Sequence, residues 1–288
     1  MINLLNAELA SLRYRARTGV AFIGLTLLGL LSPMMWMQSA RPLSEAEKLD
    51  GERSFVEARA WCPECNPEDY LRRPWDFNQV IESGLQPLFI VSALLVLVIV
   101  AFYVGSDFQS GALWTRLTFT PRRVPLLLAR TLASGLLGAA IMALIATTAT
   151  MVSAVWFIAL RGFAELSTDE RLLRSVAAAV LYGLIMGVVG CLATFMMNGT
   201  FGAGALILAV FVGSSLGDLL GYQTPRLLLA LSPTRQAEAM LMGASTIWSP
   251  TGQQVVIDRP DSMLYHLVVV ALLFLVTARL FKRRDLKF

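Results

Sequence analysis

Two closely spaced cysteines are among the residues best suited to chemistry. Cys62 and Cys65 stand in the pattern Trp-Cys-Pro-Glu-Cys, whereas the third cysteine, Cys191, stands alone. A Cys-x-x-Cys pair can form a structural disulfide, act in redox exchange or supply half of a zinc site. We expect a disulfide, which is the default in an oxidising compartment. Redox exchange, metal binding and free thiols stay as alternatives, and we expect no metal because only His266 would be available as a further His or Cys ligand on that side.

Motifs for proteolysis or nucleotide binding are missing from the sequence. His266 is the single histidine, so a His-Glu-x-x-His zinc motif and most histidine-based general-base schemes are excluded. There is no Gly-x-x-x-x-Gly-Lys phosphate loop. We therefore expect no enzymatic activity and no cofactor in this chain. Asp218 lies at the outer end of the fifth predicted span, 203–221, and we consider it either an outer gate or an ordinary interfacial acid.

Five long stretches contain no Asp, Glu, Lys or Arg. The elements that these stretches form must position any functional residues. The sequence is 56% hydrophobic and 15% charged, far from the composition of a typical soluble domain. A helix that crosses a bilayer needs about 20 predominantly apolar residues, and the stretch 175–217 is long enough for two. We predict an all-α integral membrane protein with six transmembrane helices, at roughly 19–38, 85–105, 127–160, 174–197, 203–221 and 264–281. The first is an anchor, since its apolar part is too long for a cleaved signal peptide.

The distribution of charge predicts the orientation of these helices. With the N-terminus inside, the cytoplasmic segments and membrane ends carry 12 Lys and Arg but only 3 acids, which are Glu8, Asp107 and Asp285. The other side carries 12 Lys and Arg with 17 acids. Basic residues close to the membrane set topology, so we predict both termini in the cytoplasm and the protein in a bacterial cytoplasmic (inner) membrane. The net charge of +4 then reflects orientation in the lipid bilayer and not binding to nucleic acid.

Segments outside the spans divide into three kinds. Residues 1–18 place four apolar side chains on one helical face, those of Ile2, Leu5, Leu9 and Leu12. This pattern predicts an amphipathic helix that lies on the cytoplasmic surface of the membrane, with a frayed tail as the alternative. The family resemblance described below would make this helix an elbow helix. Residues 19–288 form a single transmembrane domain. Its extracytoplasmic loops are 39–84, an acidic helical cap, and 222–263, which we expect to hold a short interfacial or re-entrant helix over 226–231.

Glycines at a spacing of four recur in the predicted spans. They pair as Gly183 with Gly187, Gly213 with Gly217, and Gly217 with Gly221. Small residues at this spacing let helix backbones approach closely in lipid. We expect the contact within the chain, and a dimer interface is the alternative.

The cytoplasmic segment 106–126 mixes aromatic, leucine and arginine residues. A helix here with Phe108 and Trp114 exposed would fit a groove in a partner protein. A helix lying on the inner leaflet, with its arginines at the lipid headgroups, is equally compatible with the composition.

This segment resembles the type-2 ATP-binding-cassette (ABC) exporter permeases. That family typically has an acidic residue, a glycine four positions later, a leucine-rich turn, and then Pro and Arg before a basic residue that opens the third span. The matching residues are Asp107, Gly111, Leu113, Leu117, Pro121, Arg122, Arg123 and Arg130. Leu231-Ser232-Pro233 and the closing segment 278–286 are similar to further family features. The chain departs in having Asp107 where Glu is commoner and Arg130 where Lys is commoner.

The resemblance implies a permease subunit that forms the substrate pathway and hydrolyses no ATP itself. Two copies of a cytosolic ABC ATPase, which hold the ATP and Mg, would bind a dimer of permease protomers. The residues implied to couple to the ATPase are Asp107, Phe108, Gly111, Leu113, Trp114, Arg116, Leu117, Pro121, Arg122 and Arg123. The alternative is a non-transporting membrane scaffold or sensor with a disulfide-bearing extracytoplasmic loop.

Overall fold

Long apolar helices dominate the architecture. The computed structural model describes residues 2–13, 16–62, 64–119, 122–166, 170–219, 230–248 and 254–283. Within them, five helices are long and apolar enough to cross a membrane, and these are Gly19–Ala40, Phe77–Gln109, Arg123–Arg161, Glu170–Met197 and Arg259–Arg283. The protein is therefore a predominantly helical membrane protein with five candidate spans. A shorter apolar helix, Thr200–Ser214, overlaps the fifth of the six predicted spans, 203–221.

The first candidate span is made of two helices. After α1 (Ile2–Arg13) come α2 (Ala16–Leu31), α3 (Pro33–Ala40) and α4 (Glu45–Ala58). Pro33 occupies the first position of α3, where a missing N–H is tolerated. The acidic helix α4 begins with a capping box, in which Ser44 and Glu47 each satisfy the other's backbone N–H.

The second span contains a local irregularity. It runs through α5 (Phe77–Val80), a π-helical turn at Ile81–Leu85 and α6 (Gln86–Gln109). Gly84 in this turn lies against the ring of Trp36, since a Cβ atom at Gly84 would come within 2.7 Å of Trp36 Cγ. The turn therefore packs directly on α3.

The remaining chain adds six helices and a hairpin to the described structure. The elements are α7 (Ala112–Phe119), α8 (Arg123–Arg161), α9 (Glu170–Met197), α10 (Thr200–Leu219), α11 (Pro233–Met242), β1 (Ala244–Trp248), β2 (Gln254–Asp258) and α12 (Arg259–Arg283), with 3₁₀ turns at Pro67–Tyr70 and Phe163–Glu165.

The antiparallel hairpin of β1 and β2 pairs Ala244 with Asp258 and Trp248 with Gln254. The sequence predicts only a helix in the loop 222–263, so the hairpin is an addition. The interfacial helix predicted at 226–231 lies mostly outside the described residues. The β-branched residues of Thr246-Ile247 and Val255-Val256-Ile257 were the missed signal for strands.

Helices α8 and α9 approach each other closely. A Cβ atom at Gly183 would lie 2.7 Å from the carbonyl oxygen of Gly138, and one at Gly187 would collide with the carbonyl oxygen of Ser134. The Gly183–Gly187 pattern therefore packs against α8 of the same chain. Around Gly213, by contrast, the described structure leaves open space. Gly221 lies outside the described residues, and the surroundings of Gly217 are likewise not described.

The helices define two ends of the bundle. At the proximal end, Arg123 at the start of α8 donates hydrogen bonds of 3.1 Å to the carbonyls of Phe281 and Lys282 in the last turn of α12. At the distal end, the backbone N–H of Arg259 at the start of α12 donates to Gly243 at 3.0 Å, and Gln86 of α6 contacts Ser175 of α9.

Candidate functional site

A network of buried charges joins four helices at the proximal end. Arg130 of α8 is 1% exposed, and its Nη1 donates a hydrogen bond of 2.7 Å to Oε2 of Glu8 on α1. Its Nη2 donates to Oδ2 of Asp107, near the end of α6. The second carboxylate oxygen of Glu8 accepts a hydrogen bond from Arg116 of α7. Two guanidinium groups and two carboxylates therefore balance in charge, which is what burial of ionised groups requires. We call these four residues the proximal network.

Aromatic and hydroxyl groups enclose the proximal network. The guanidinium of Arg130 lies over the ring of Tyr103, with 5.1 Å between Cζ and the ring centroid, a cation–π arrangement. The Tyr103 hydroxyl is 3.2 Å from Ser11 Oγ, which itself donates to the carbonyl of Glu8 at 2.7 Å. In the described part of the chain, Nε of Arg130 finds no hydrogen-bond partner. The guanidinium is therefore held by two carboxylates and an aromatic face.

Helical spacing explains how the sequence places these groups. Glu8 stands four positions before Leu12 on the buried face of α1, and both side chains are under 10% exposed. Asp107 stands four positions after Tyr103, so both point to the same neighbours from α6. Each carboxylate is carried into the interior by the apolar residues around it.

The burial of Arg130 and Glu8 differs from what the sequence predicts. The charge distribution places Arg130 at the membrane interface and Glu8 among the cytoplasmic acids, whereas both side chains are almost fully buried. The physical reason is that α1 and α6 supply the carboxylates of Glu8 and Asp107, so the guanidinium of Arg130 pairs with them instead of reaching water. One signal was available: Glu8 is the only acid in 1–18, and Asp107 is the only acid in 106–126.

Helix α7 is anchored on one side and exposed on the other. Leu113 and Leu117, one turn apart, are 1% and 5% exposed. Thr115 and Thr118 are exposed. Gly111 forms the turn that precedes α7 with φ of +72°, in the left-handed region that favours glycine. The segment is therefore a short helix with a buried leucine edge.

Other residues of the predicted coupling segment fall in different places. Phe108, which we expected to be exposed, packs edge-on against Phe195 of α9 with ring centroids 5.1 Å apart. The reason is that α6 continues through Phe108 and carries its ring into the apolar core. Arg122 is exposed, whereas Arg123 binds the last turn of α12. The Trp114 side chain and Pro121 lie outside the described residues.

The cysteines and the histidine are not members of the proximal network, although the thiol of Cys191 lies 3.9 Å from the hydroxyl of Thr131, next to Arg130 in α8. Cys62 and Cys65 are joined by a disulfide with 5.5 Å between their Cα atoms, and Cys191 is a buried free thiol. His266 is buried, and its Nδ1 is 2.7 Å from the carbonyl oxygen of Ser262. Among the described residues, no group of three His, Cys, Asp or Glu side chains could hold a metal ion. The side chain of Asp218, in α10, is outside the described part.

A further sequence pattern, in α10, has the spacing of a hydrolase motif. Residues 213–217 read Gly-Ser-Ser-Leu-Gly, which matches the letters of a Gly-x-Ser-x-Gly nucleophile elbow. The structure places them within the continuous helix α10, whereas the elbow requires a sharp strand-to-helix turn. The match therefore carries no catalytic role.

Comparison with known proteins identifies no relative that would assign a function to the site. No protein-family model matches this chain, and no curated protein matches it.

Proposed function

We propose that this protein is the membrane-spanning permease subunit of an ABC transporter, and specifically of an exporter. The observation that supports it is the proximal network, which fastens α7 to three other helices through Glu8, Asp107, Arg116 and Arg130. In this proposal α7 is the coupling helix and α1 is the elbow helix.

The proximal network is suited to couple α7 to the other helices when a docked ATPase moves it. Arg116 of α7 contacts the same carboxylate, Glu8, that holds Arg130 of α8. In this proposal a displacement of α7 acts on α1 through the contact of Arg116 with Glu8. It reaches α8 and α6 through the further contacts of Arg130 with Glu8 and Asp107.

The rest of the assembly follows from the same proposal. Helix α10 is the fifth of six spans, both termini are cytoplasmic, and the protein resides in a bacterial inner membrane. A cytosolic ATPase binds ATP and Mg and docks on the exposed face of α7, one copy for each of two permease protomers. The substrate pathway runs between the protomers, and this chain performs no hydrolysis.

The test uses the Walker-type ATPase that this proposal expects to be encoded in a neighbouring reading frame. The two proteins are co-expressed, purified in detergent and assayed for co-purification and ATP hydrolysis. The variant Thr115→Arg/Thr118→Arg enlarges the exposed face of α7 without touching its buried leucines. Ser54→Arg, on the exposed surface of α4, is the matched control.

We expect the α7 variant to lose most of the bound ATPase, and the α4 variant to retain it. The proposal fails if the wild-type chain retains no ATPase, or if both variants behave like wild type. A wild-type chain that folds normally but retains no ATPase would favour the scaffold or sensor function instead.

A further inference from the structure

A polar cavity of about 370 Å³ lies at the distal end, remote from the proximal network. It is formed where the π-helical turn of the second span meets the first turns of α9 and α12 and the end of α11. Its size falls within the range of small-molecule sites. We call it the distal cavity.

Positive charge dominates the lining of the distal cavity. Arg171, Arg174 and Arg259 contribute guanidinium groups, and among the described lining residues Glu82 contributes the one carboxylate. Arg171 Nη1 is 3.4 Å from Glu82 Oε1. Arg174 pairs with Glu170, which does not line the cavity. The lining thus carries an excess of two positive charges.

Two of these arginines are available to a ligand. The side chains of Arg171 and Arg174 are 65% and 64% exposed, and ion pairs at such exposure contribute little to stability. An incoming anion can replace the present carboxylate partners of both guanidinium groups at small cost. The exposure also shows that the cavity communicates with solvent.

The third arginine is fixed in place. Arg259 Nε donates to the carbonyl of Met240 at 3.0 Å, and its Nη2 points to the carbonyl of Leu241 at 3.4 Å. These carbonyls belong to the last turn of α11, so the guanidinium is oriented before any ligand binds. Helices α9 and α12 both begin here, and the positive ends of their dipoles favour an anion at the same place.

An amide without a partner adds a neutral polar contact. Asn78 lines the cavity, and its buried Oδ1 has no hydrogen-bond partner among the described residues. The amide can present its oxygen to a hydroxyl group or, after rotation, its NH₂ group to an anionic oxygen. The π-helical turn at Ile81–Leu85 contributes to the same wall, and such turns are frequent at functional sites.

We propose that the distal cavity binds a phosphate-bearing anion. Arginine forks match the oxygens of phosphate in a bidentate geometry, and the neutral amide suits a hydroxyl of the attached group. The anion is either the headgroup of an anionic phospholipid or a soluble phosphate. This inference goes beyond the transport function and does not depend on it, because it concerns the chain alone.

The test measures binding to the purified full-length chain in a nonionic detergent, without any ATPase. One arm titrates phosphatidylglycerol and counts bound lipid by native mass spectrometry. The other arm titrates inorganic phosphate and follows the thermal midpoint of unfolding. The variant is Arg171→Gln/Arg174→Gln. The matched control is Arg73→Gln, whose side chain is 71% exposed and lies near Glu68 and Asp69.

We expect the double variant to bind the responding ligand at least roughly tenfold more weakly, since each lost charge-assisted hydrogen bond has about that effect on affinity. Arg73→Gln should bind as the wild type does. A response to phosphatidylglycerol alone identifies a lipid headgroup as the source, and a response to phosphate identifies a soluble anion.

The proposal is overturned if the wild type binds neither ligand, if the double variant binds like wild type, or if Arg73→Gln loses as much affinity. Circular dichroism and size-exclusion chromatography establish that the double variant folds. If it does not, Arg171→Gln alone, which leaves the Arg174–Glu170 pair intact, is measured with the same expectation.

Discussion

Arg130 of α8 and Glu8 of α1 form a buried ion pair of 2.7 Å, although they are 122 positions apart in the chain. The pair incorporates the first helix into the bundle through charge as well as through its apolar face. Buried charges are tolerated only when each has its partner. The proximal network should therefore be sensitive to the loss of Glu8, Asp107 or Arg130, and less so to the loss of Arg116, whose side chain is 32% exposed.

Replacing the central guanidinium should be strongly destabilising. Arg130→Met removes the partner of Asp107 and half of the pairing of Glu8, and breaking a buried pair costs about 3–5 kcal/mol. Thermal unfolding in detergent measures the effect. The control Arg122→Met alters an exposed arginine near the start of the same helix and should cost less than about 0.5 kcal/mol. Equal losses in both variants would contradict the burial of the network.

A methyl group at Gly187 should force α8 and α9 apart. Its Cβ atom would meet the carbonyl oxygen of Ser134, and overpacking of this kind typically costs about 1–3 kcal/mol. Gly204→Ala on α10 is the matched control, because nothing lies within 4 Å of its Cβ position in the described structure. Calorimetric or fluorescence-detected melting should show a lower midpoint for Gly187→Ala only. If Gly187→Ala melts like wild type, the close contact of α8 and α9 is wrong.

The start of α4 should respond to acid. The Ser44 backbone N–H and hydroxyl, which donate to Glu47, lower the pKa of Glu47 below its ordinary value of 4.5, and Arg41 and Arg72 add to the effect. A lowered pKa means that the ionised form is favoured by folding. Its contribution is therefore complete above pH 4.5 and is lost as the pH falls through the folded value.

The carboxyl ¹³C resonance of Glu47 provides the measurement. Its titration midpoint should lie below 4.5 in the wild type and rise in Ser44→Ala, which removes the hydroxyl donor. An unchanged midpoint in Ser44→Ala would show that the hydroxyl has no part in the shift.

The thiol count should distinguish the three cysteines. Cys62 and Cys65 are joined and Cys191 is buried, so the native protein should take up almost no maleimide. After denaturation without reductant one thiol should react, and after reduction three should react. Mass spectrometry reads the number of adducts. Two or more adducts before reduction would exclude the disulfide.

The same low background makes orientation measurable. Thr118→Cys places a reactive thiol on the exposed face of α7, and Ser54→Cys places one on α4. If the proximal end is cytoplasmic, a membrane-impermeant maleimide added to intact cells should label Ser54→Cys and spare Thr118→Cys. The reverse pattern would refute the predicted topology.

What the sequence predicted well depends on local composition. The absence of charge from long stretches located the five candidate spans, because a bilayer selects for apolar residues at every exposed position. The close packing at Gly187, which lies against Ser134, was also predictable, since small residues at a spacing of four lie on one face of a single helix.

What the sequence did not predict depends on which segments meet. Glu8 is the only acid in residues 1–18, but this does not identify Arg130 as its partner, because the pairing exists only after α1 covers the ends of α6 and α8. The distal cavity is similar, since Arg171 and Arg259 come together only through the packing of α9 and α12. In both features, the role of a charged side chain depends on partners that are distant in the chain.

The continuity of α8 connects the two ends of the molecule mechanically. The helix has 39 residues, about 58 Å at 1.5 Å per residue, which is nearly twice the thickness of a bilayer hydrocarbon core. Arg130 lies near one end, and at the other Arg161 donates to the carbonyl of Trp75 at 3.3 Å. One continuous helix therefore joins the proximal network to the segment held by Arg161 at the distal end. In the proposed transporter, a tilt of α8 imposed at Arg130 would reach the far side of the membrane within a single helix.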